Sequence, residues 1–140
     1  MKKSLDTNNN QFFFNIVIPV FNAEKYIDKS LSSIIKQSFK NYQVQIVDDC
    51  STDSTYDIAS SICKKHRNFR IFRNSRRLGS LNNICNLLKK KIEEPTKTID
   101  ILIDGDDYLY SGDVLNIIKE KYIETNCLIT YGSHLSSRGV

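Results

Sequence analysis

Val44-Gln45-Ile46-Val47-Asp48-Asp49-Cys50-Ser51-Thr52-Asp53-Ser54-Thr55 decides the fold class, because its character changes twice within twelve residues. Val44 to Val47 is a compact β-rich run that ends at Asp48. Ser51, Thr52, Asp53 and Ser54 then supply side-chain oxygens of the kind that start helices. Ile58, Ala59, Ile62 and Cys63 follow at helical spacing. The unit is a buried strand, a polar turn and a helix.

The same unit recurs on both sides. Phe14 to Val20, Phe69 to Phe72, Ile99 to Ile103 and Cys127 to Tyr131 bring the strand candidates to five. Helical patterns lie between them: Ile27, Leu31, Ile34, Ile35 and Phe39 within Tyr26 to Phe39, then Leu81, Ile84, Cys85 and Leu88, and finally Val114, Leu115, Ile118 and Tyr122. Pro95 marks a loop before the fourth strand. Continuous rather than alternating hydrophobicity suits strands covered on both faces. Alternation of this kind predicts an α/β domain: an open, mostly parallel sheet with helices on both faces and right-handed βαβ crossovers.

With 140 residues the chain has the length of one domain. Such a domain buries roughly 68–70% of its unfolded surface, so a core forms without disulfide or metal staples. Hydrophobic content of 40% and charged content of 26% are close to globular averages. Residues 1–11 are polar, with Asn8, Asn9 and Asn10 in a row, and read as a flexible lead-in to a domain over 12–140. A net charge of +4 permits an anionic ligand without demanding nucleic acid. The basic clusters from Lys64 to Arg77 and at Lys89 to Lys91 read as solvated helix ends and loop, and no interleaved aromatics make a nucleic-acid platform.

Cys50, Cys63, Cys85 and Cys127 form no C-x-x-C pair, which removes support for a zinc ribbon or thioredoxin-type site. Cys63, Cys85 and Cys127 read as small core residues in a reduced, intracellular protein. No run approaches the roughly 18 apolar residues of a membrane span. Phe12 to Phe21 is short, is interrupted by Asn15, contains Pro19 and lacks the layout of a signal peptide. A soluble, cytoplasmic protein is expected, with peripheral membrane contact left open.

In open α/β sheets ligands bind outside the carboxyl ends of the strands. The loops to read therefore follow Val20, Val47, Phe72 and Ile103. In the first, Pro19-Val20-Phe21-Asn22, Asn22 is suited to capping the next helix, or the backbone to holding a base or ribose. In the second, Ser51 to Ser54 already supply helix caps, so Asp48 and Asp49 are free to accept a nucleobase N–H or a ribose hydroxyl. The last is Asp104-Gly105-Asp106-Asp107, where three carboxylates in four residues repel one another unless something cationic neutralises them. Mg²⁺ or Mn²⁺ commonly sits between one or two carboxylates and substrate phosphates. Gly105 allows a tight turn and leaves room for a ligand.

These signatures occur in a fixed order: Ile16-Val17-Ile18-Pro19-Val20-Phe21-Asn22, Ser33-Ile34-Ile35-Lys36-Gln37-Ser38-Phe39, Val47 to Thr55, and Asp104-Gly105-Asp106-Asp107. The order resembles the inverting family-2 glycosyltransferases of GT-A (Rossmann-like) fold over about Phe12 to Tyr131. The resemblance implies metal-dependent sugar transfer from a nucleoside diphosphate sugar, with a UDP-sugar the expected donor. By position it implies substrate binding by Pro19, Val20, Phe21, Asn22, Asp48, Asp49, Asp104 and Asp106. It also implies Mn²⁺ or Mg²⁺ at Asp104, Asp106 and Asp107.

Two departures stand out: Cys50 where family members usually carry Gly, and Asn82 where a basic residue often precedes Asn83. Arg76 or Arg77 is placed to replace the missing charge. The family's acceptor site and general base lie beyond the equivalent of Tyr131, where this chain offers only His134, which reads as a chance surface histidine. No catalytic base is assigned, and the acceptor, whether glycan, lipid or protein, stays open. The alternative is a truncated module that binds a nucleotide sugar without transferring it. A metal-dependent phosphotransfer or nucleotidyl-transfer enzyme ranks next, though no P-loop supports it. A CheY-like regulator ranks last, since the third strand ends without an acceptor Asp.

Overall fold

The computed structural model describes residues 12–89, 97–125, 127, 129, 130 and 132. Their elements alternate as β1 (Phe12–Val20), α1 (Ile27–Ile35), β2 (Tyr42–Asp48), α2 (Thr55–Cys63), β3 (Phe69–Arg73), α3 (Ser80–Leu88), β4 (Lys97–Leu102) and α4 (Val114–Thr125). The four strands form one sheet in the order β3-β2-β1-β4, every pair parallel. After β1 the chain moves outward to β2 and β3, then returns to place β4 on the other side of β1. The switch point lies between β1 and β4, where a crevice opens at the strand carboxyl ends. The expected α/β architecture is present.

All nine residues of β1 are buried, as the centre of a doubly covered sheet requires. The two faces are unequal. Phe14, Ile16 and Ile18 point with β2 residues Val44 and Ile46 into a cluster of seventeen buried residues that includes Ile27, Leu31 and Ile34 of α1, Ala59 of α2 and Leu115 of α4. Among the described residues the opposite face has only Val17, Val47 and Leu87 of α3, with Phe72 and Ile84 against them. Each buried aliphatic side chain is worth about 1.5–3 kcal/mol, so the first face carries most of the hydrophobic stabilisation.

Beyond the reach of α3, the second face is polar. Asn15 is 1% exposed and its Nδ2 donates to Asp100 Oδ1 at 2.7 Å. Its Oδ1 accepts from Gln43 Nε2 at 3.0 Å and Gln45 Nε2 at 2.8 Å. This row crosses β2, β1 and β4.

Several expectations need correction. Cys127, Ile129 and Thr130 carry no strand, and residues 128 and 131 lie outside the described residues, so the fifth strand is not found. Strand β4 is half exposed, because among the described residues only β1 flanks it in the sheet. Cys85 is exposed rather than core, for its face of α3 looks away from the sheet, while Cys63 does pack against the main core. Helix α1 stops at Ile35, four residues before Phe39, although Phe39 is buried edge-on against Phe14. Asn22 does not cap α1. Its φ is 49° and its side chain serves another loop. The amino-terminal lead-in lies outside the described residues. Among those that are described, the four cysteines are free and no helix is long and apolar enough to cross a membrane.

Candidate functional site

A cleft of about 260 Å³ opens at the carboxyl ends of the strands. The loop after β1 contributes Pro19, Val20, Phe21 and Asn22, with Tyr26 behind them. Asp49 comes from the loop after β2, Arg77, Ser80 and Asn83 follow β3, and Asp104, Gly105 and Asp106 follow β4. Seven of the eight expected substrate residues therefore converge here. Asp48 is the exception.

The first two loops are stitched together. Asn22 N donates to Ser51 Oγ, Ala23 N to Thr55 Oγ1 and Glu24 N to Asp53 Oδ2. In return Thr52 N donates to Asn22 Oδ1 and Ser54 N to Glu24 Oε2. The Ser and Thr oxygens expected to cap α2 are thus partly spent on the β1 loop, and Ser54 at the α2 start makes no side-chain cap. Asp53 performs that task, accepting from Thr55 N at 3.0 Å. Burial works against ionisation of Asp53, but the Thr55 and Glu24 hydrogen bonds win and hold its carboxyl below the ordinary range.

The two adjacent aspartates do different things, since successive strand residues face opposite ways. Asp48 has no exposed surface; its Oδ2 meets Arg73 Nε at 3.1 Å and accepts from Ser51 N at 3.3 Å. Arg73 also donates to Ser51 O at 2.9 Å and stacks 4.8 Å from the Tyr56 ring centre. Asp48 therefore closes its own loop and does not line the cleft. Between it and Ser51, Cys50 sits at φ 65°, a left-handed backbone that favours glycine. That accounts physically for the glycine expected there.

Asp49 lines the cleft and anchors the start of α3. Its Oδ1 accepts from Asn74 Nδ2 and Leu78 N, both at 2.8 Å, and its Oδ2 from Gly79 N at 2.9 Å. Gly79 reaches φ 85°, which lets the chain present both amides to one carboxylate. Burial raises the Asp49 pKa, but the hydrogen bonds from Leu78, Asn74 and Gly79, with the nearby Asn83 amide, outweigh it and keep the carboxyl far below its ordinary value. Arg77 Nε stands 3.9 Å from Asp49 Oδ2, and its guanidinium lies 3.7 Å from the Phe21 ring centre. Of the two arginines proposed to replace the missing basic residue, Arg77 is in the cleft and Arg76 is not. Asn82 is exposed and donates to Leu78 O.

The acidic turn is built differently. A Cβ on Gly105 would lie 2.6 Å from Val20 Cγ1, so only glycine lets the turn press on the end of β1. Asp107 N donates to Asp104 O at 3.0 Å and closes the turn. Downstream, Leu109 N donates to Ser33 Oγ, and fully buried Gln37 bridges Ser111 O and Leu115 N. The backbone is pinned on both sides. Asp104, Asp106 and Asp107 are nonetheless exposed, and no hydrogen bond or ion pair engages their carboxylates among the described residues. Nor do three acidic, His or Cys side chains there converge on one point.

Hard oxygen donors without counter-charge fit Mg²⁺ or Mn²⁺ in kind. They do not make a closed cage, and Asp107 falls outside the cleft lining. An ion here would complete its shell with water or with ligand oxygens. Sequence reasoning missed Asn83, Tyr26 and Ser80 as lining residues. Only the helical register of α3 and α1 relative to the strand ends signals them. His134 lies outside the described residues.

Comparison with known proteins agrees with this architecture. The family model described as Glycosyl transferase family 2 matches residues 15–138. An uncharacterized glycosyltransferase of Haemophilus influenzae is 36% identical over 122 residues, covering 76% of this chain and 38% of that protein. The crystal structure of S. aureus TarS in complex with UDP-GlcNAc superposes with a TM-score of 0.63 at 29% identity, covering 81% of this chain and 32% of that one. The mannosyltransferase PcManGT from Pyrobaculum calidifontis, in complex with GDP-Man and Mn²⁺, shares the fold with a TM-score of 0.70 at 20% identity, over 80% of this chain and 32% of that one. The chain thus spans well under half the length of these relatives. With the family model covering nearly all of it, the chain belongs to glycosyl transferase family 2.

Proposed function

We propose that this chain forms the donor-binding part of a glycosyltransferase that takes its sugar from a nucleoside diphosphate sugar, with Mn²⁺ or Mg²⁺ assisting. The observation that carries the reading is the pairing, in one cleft, of a satisfied carboxylate with unsatisfied ones. Asp49 and the Phe21–Asn22 loop make a rigid pocket for the nucleoside. Asp104 and Asp106, on the opposite wall, are the residues that would hold the metal, with Asp107 just outside. When bound, the ion would offset the negative charge that grows on the diphosphate as the sugar leaves. Arg77 supplies a cation on the same rim for phosphate. A UDP-sugar is the donor this reading favours, in line with the UDP-GlcNAc complex of TarS. Asp48, buried in its ion pair, takes no part in contacting the donor.

Calorimetric titration of Mn²⁺, with and without UDP or GDP, tests the proposal. Mn²⁺ should bind weakly alone and at least tenfold more tightly with nucleotide, since phosphate oxygens complete its shell. The Asp106→Asn protein, which keeps the shape and loses the charge, should lose that coupling. Nucleotide affinity indifferent to metal in both proteins would overturn the metal role.

A further inference from the structure

The net charge of +4 is unevenly spread. From Lys64 to Ile92 the sequence carries ten Lys and Arg residues and not one Asp or Glu. The rest of the chain holds the other ten cations against all sixteen acids, a net charge of −6. This acid-free stretch builds β3, at the edge of the sheet, and α3. Arg73 and Arg77 pair with Asp48 and Asp49. Lys64, Lys65, Arg67, Arg70, Arg76 and Lys89 are exposed and make no ion pair among the described residues.

Helix α3 is apolar on its outward side as well as its inward one. Asn83 and Leu87 face the sheet and are buried. Leu81, Cys85 and Leu88, spaced i, i+4 and i+7, fall on the opposite side, with Leu81 74% and Leu88 40% exposed. Single exposed leucines are common, but the outward side of a surface helix is ordinarily polar, and three apolar side chains in line make a stripe. Arg70 stands on the same face of the sheet as α3, since Phe72, two residues on, packs against the Val17, Val47 and Leu87 cluster. Arg76 lies just before the helix and Lys89 just after it, followed in sequence by Lys90 and Lys91. On the adjoining face of β4, Leu102 is exposed and the one carboxylate, Asp100, is bonded to Asn15.

We propose that this surface docks on a membrane of anionic lipids, the Leu81–Cys85–Leu88 stripe entering the headgroup region and the surrounding cations meeting lipid phosphates. An apolar stripe flanked by Lys and Arg suits a lipid interface, where each cation near the negative surface adds attraction. A second copy of the chain fits less well, because a two-fold contact over α3 sets these cations against one another. A nucleic acid would leave the leucines without a partner. The stripe begins beside Ser80, which lines the cleft, so docking holds the cleft rim close to the lipid. The proposal stands independently of the nucleotide-sugar reading.

Co-sedimentation of the 140-residue chain with vesicles tests it. Phosphatidylcholine vesicles containing about a third phosphatidylglycerol should bind the protein at least tenfold more tightly than phosphatidylcholine alone, and less tightly as salt is raised. Leu81→Ser/Leu88→Ser keeps every cation, and its affinity for the anionic vesicles should fall at least fivefold. Both side chains are exposed, so the fold should survive, which circular dichroism checks. The chain has no Trp, so Leu81→Trp adds a single reporter whose emission should move to shorter wavelength on the anionic vesicles. If the double-serine variant unfolds, that reporter decides. Equal binding to both vesicle types, or binding to neither, overturns the proposal. Undiminished binding by the folded double-serine variant also overturns it, leaving only a diffuse attraction of charge. So does a Trp emission that stays at its solvent position while the protein sediments with the vesicles. A dimer of the unmodified protein that becomes monomeric in the double-serine variant would assign the stripe to a second copy instead.

Discussion

Two turns of this molecule are rich in aspartate, and they use it in opposite ways. After β2, Asp48 and Asp49 are almost wholly buried, and every carboxylate oxygen is engaged by Arg73, Ser51, Asn74, Leu78 or Gly79. After β4, Asp104, Asp106 and Asp107 stand in solvent on a pinned backbone with no such partner among the described residues. The first turn uses charge to hold the chain. The second uses the chain to hold charge out in solvent. Side-chain identity alone does not separate the two cases; the supply of donors around each turn does.

The comparison is easiest to break at Asp49. Asp49→Ala leaves several buried donors without an acceptor, and should cost about 3 kcal/mol or more in urea unfolding. The same carboxylate shapes the acid limb. Its folded pKa is depressed, so its contribution is complete above the ordinary value of 3.8 and is lost as pH falls below that towards the folded value. Asp53 acts in the same direction. In Asp49→Asn the decline in stability below pH ~4 should be visibly shallower, and an unchanged acid limb would contradict the assignment.

Gly105→Ala comes next. It should cost about 1–3 kcal/mol, because the new methyl meets stiff, buried Val20 at the end of β1. Cys50→Gly should stabilise by about 0.5–1 kcal/mol, the left-handed penalty relieved less the entropy that glycine loses. The smallest effect sharpens the contrast most. Without metal or nucleotide, Asp106→Asn should leave the midpoint within about 0.5 kcal/mol of the unmodified protein. A large loss there would mean that the acidic turn, like the first, is a structural device.

The alternation of strand and helix, the parallel sheet and the placement of both acidic turns were legible because each rests on local pattern. Hydrophobic runs end where a strand meets solvent, and polar residues gather where a helix begins. What could not be read depends on partners far along the chain. Asp48 and Asp49 look equivalent in sequence, and Arg73, Asn74, Leu78 and Gly79, some 25–30 residues on, divide their roles. Asn22 resembles a helix cap until Thr52 appears across from it. Cys85 fits the helical period of α3 but falls outside its narrow buried stripe of Asn83 and Leu87. The fifth strand was expected from an apolar run alone, and such runs do not specify a neighbour.

The row of Gln43, Gln45, Asn15 and Asp100, with Asn15 and Gln45 buried at its centre, fixes a length along the sheet. Asn15 lies directly opposite both Gln43 and Asp100 in the strand registers. Sliding β4 by one residue past β1 would carry the acidic turn about 3.3 Å along the strand and reverse the faces of all its side chains. Asp100 would leave Asn15, whose amide donates to it at 2.7 Å. Hydrophobic contacts tolerate small displacements, whereas a hydrogen bond between two short side chains has only one setting. The row works as a key cut into a shaft, so that the carboxylates after β4 and the Pro19–Asn22 loop after β1 arrive level with each other across the cleft.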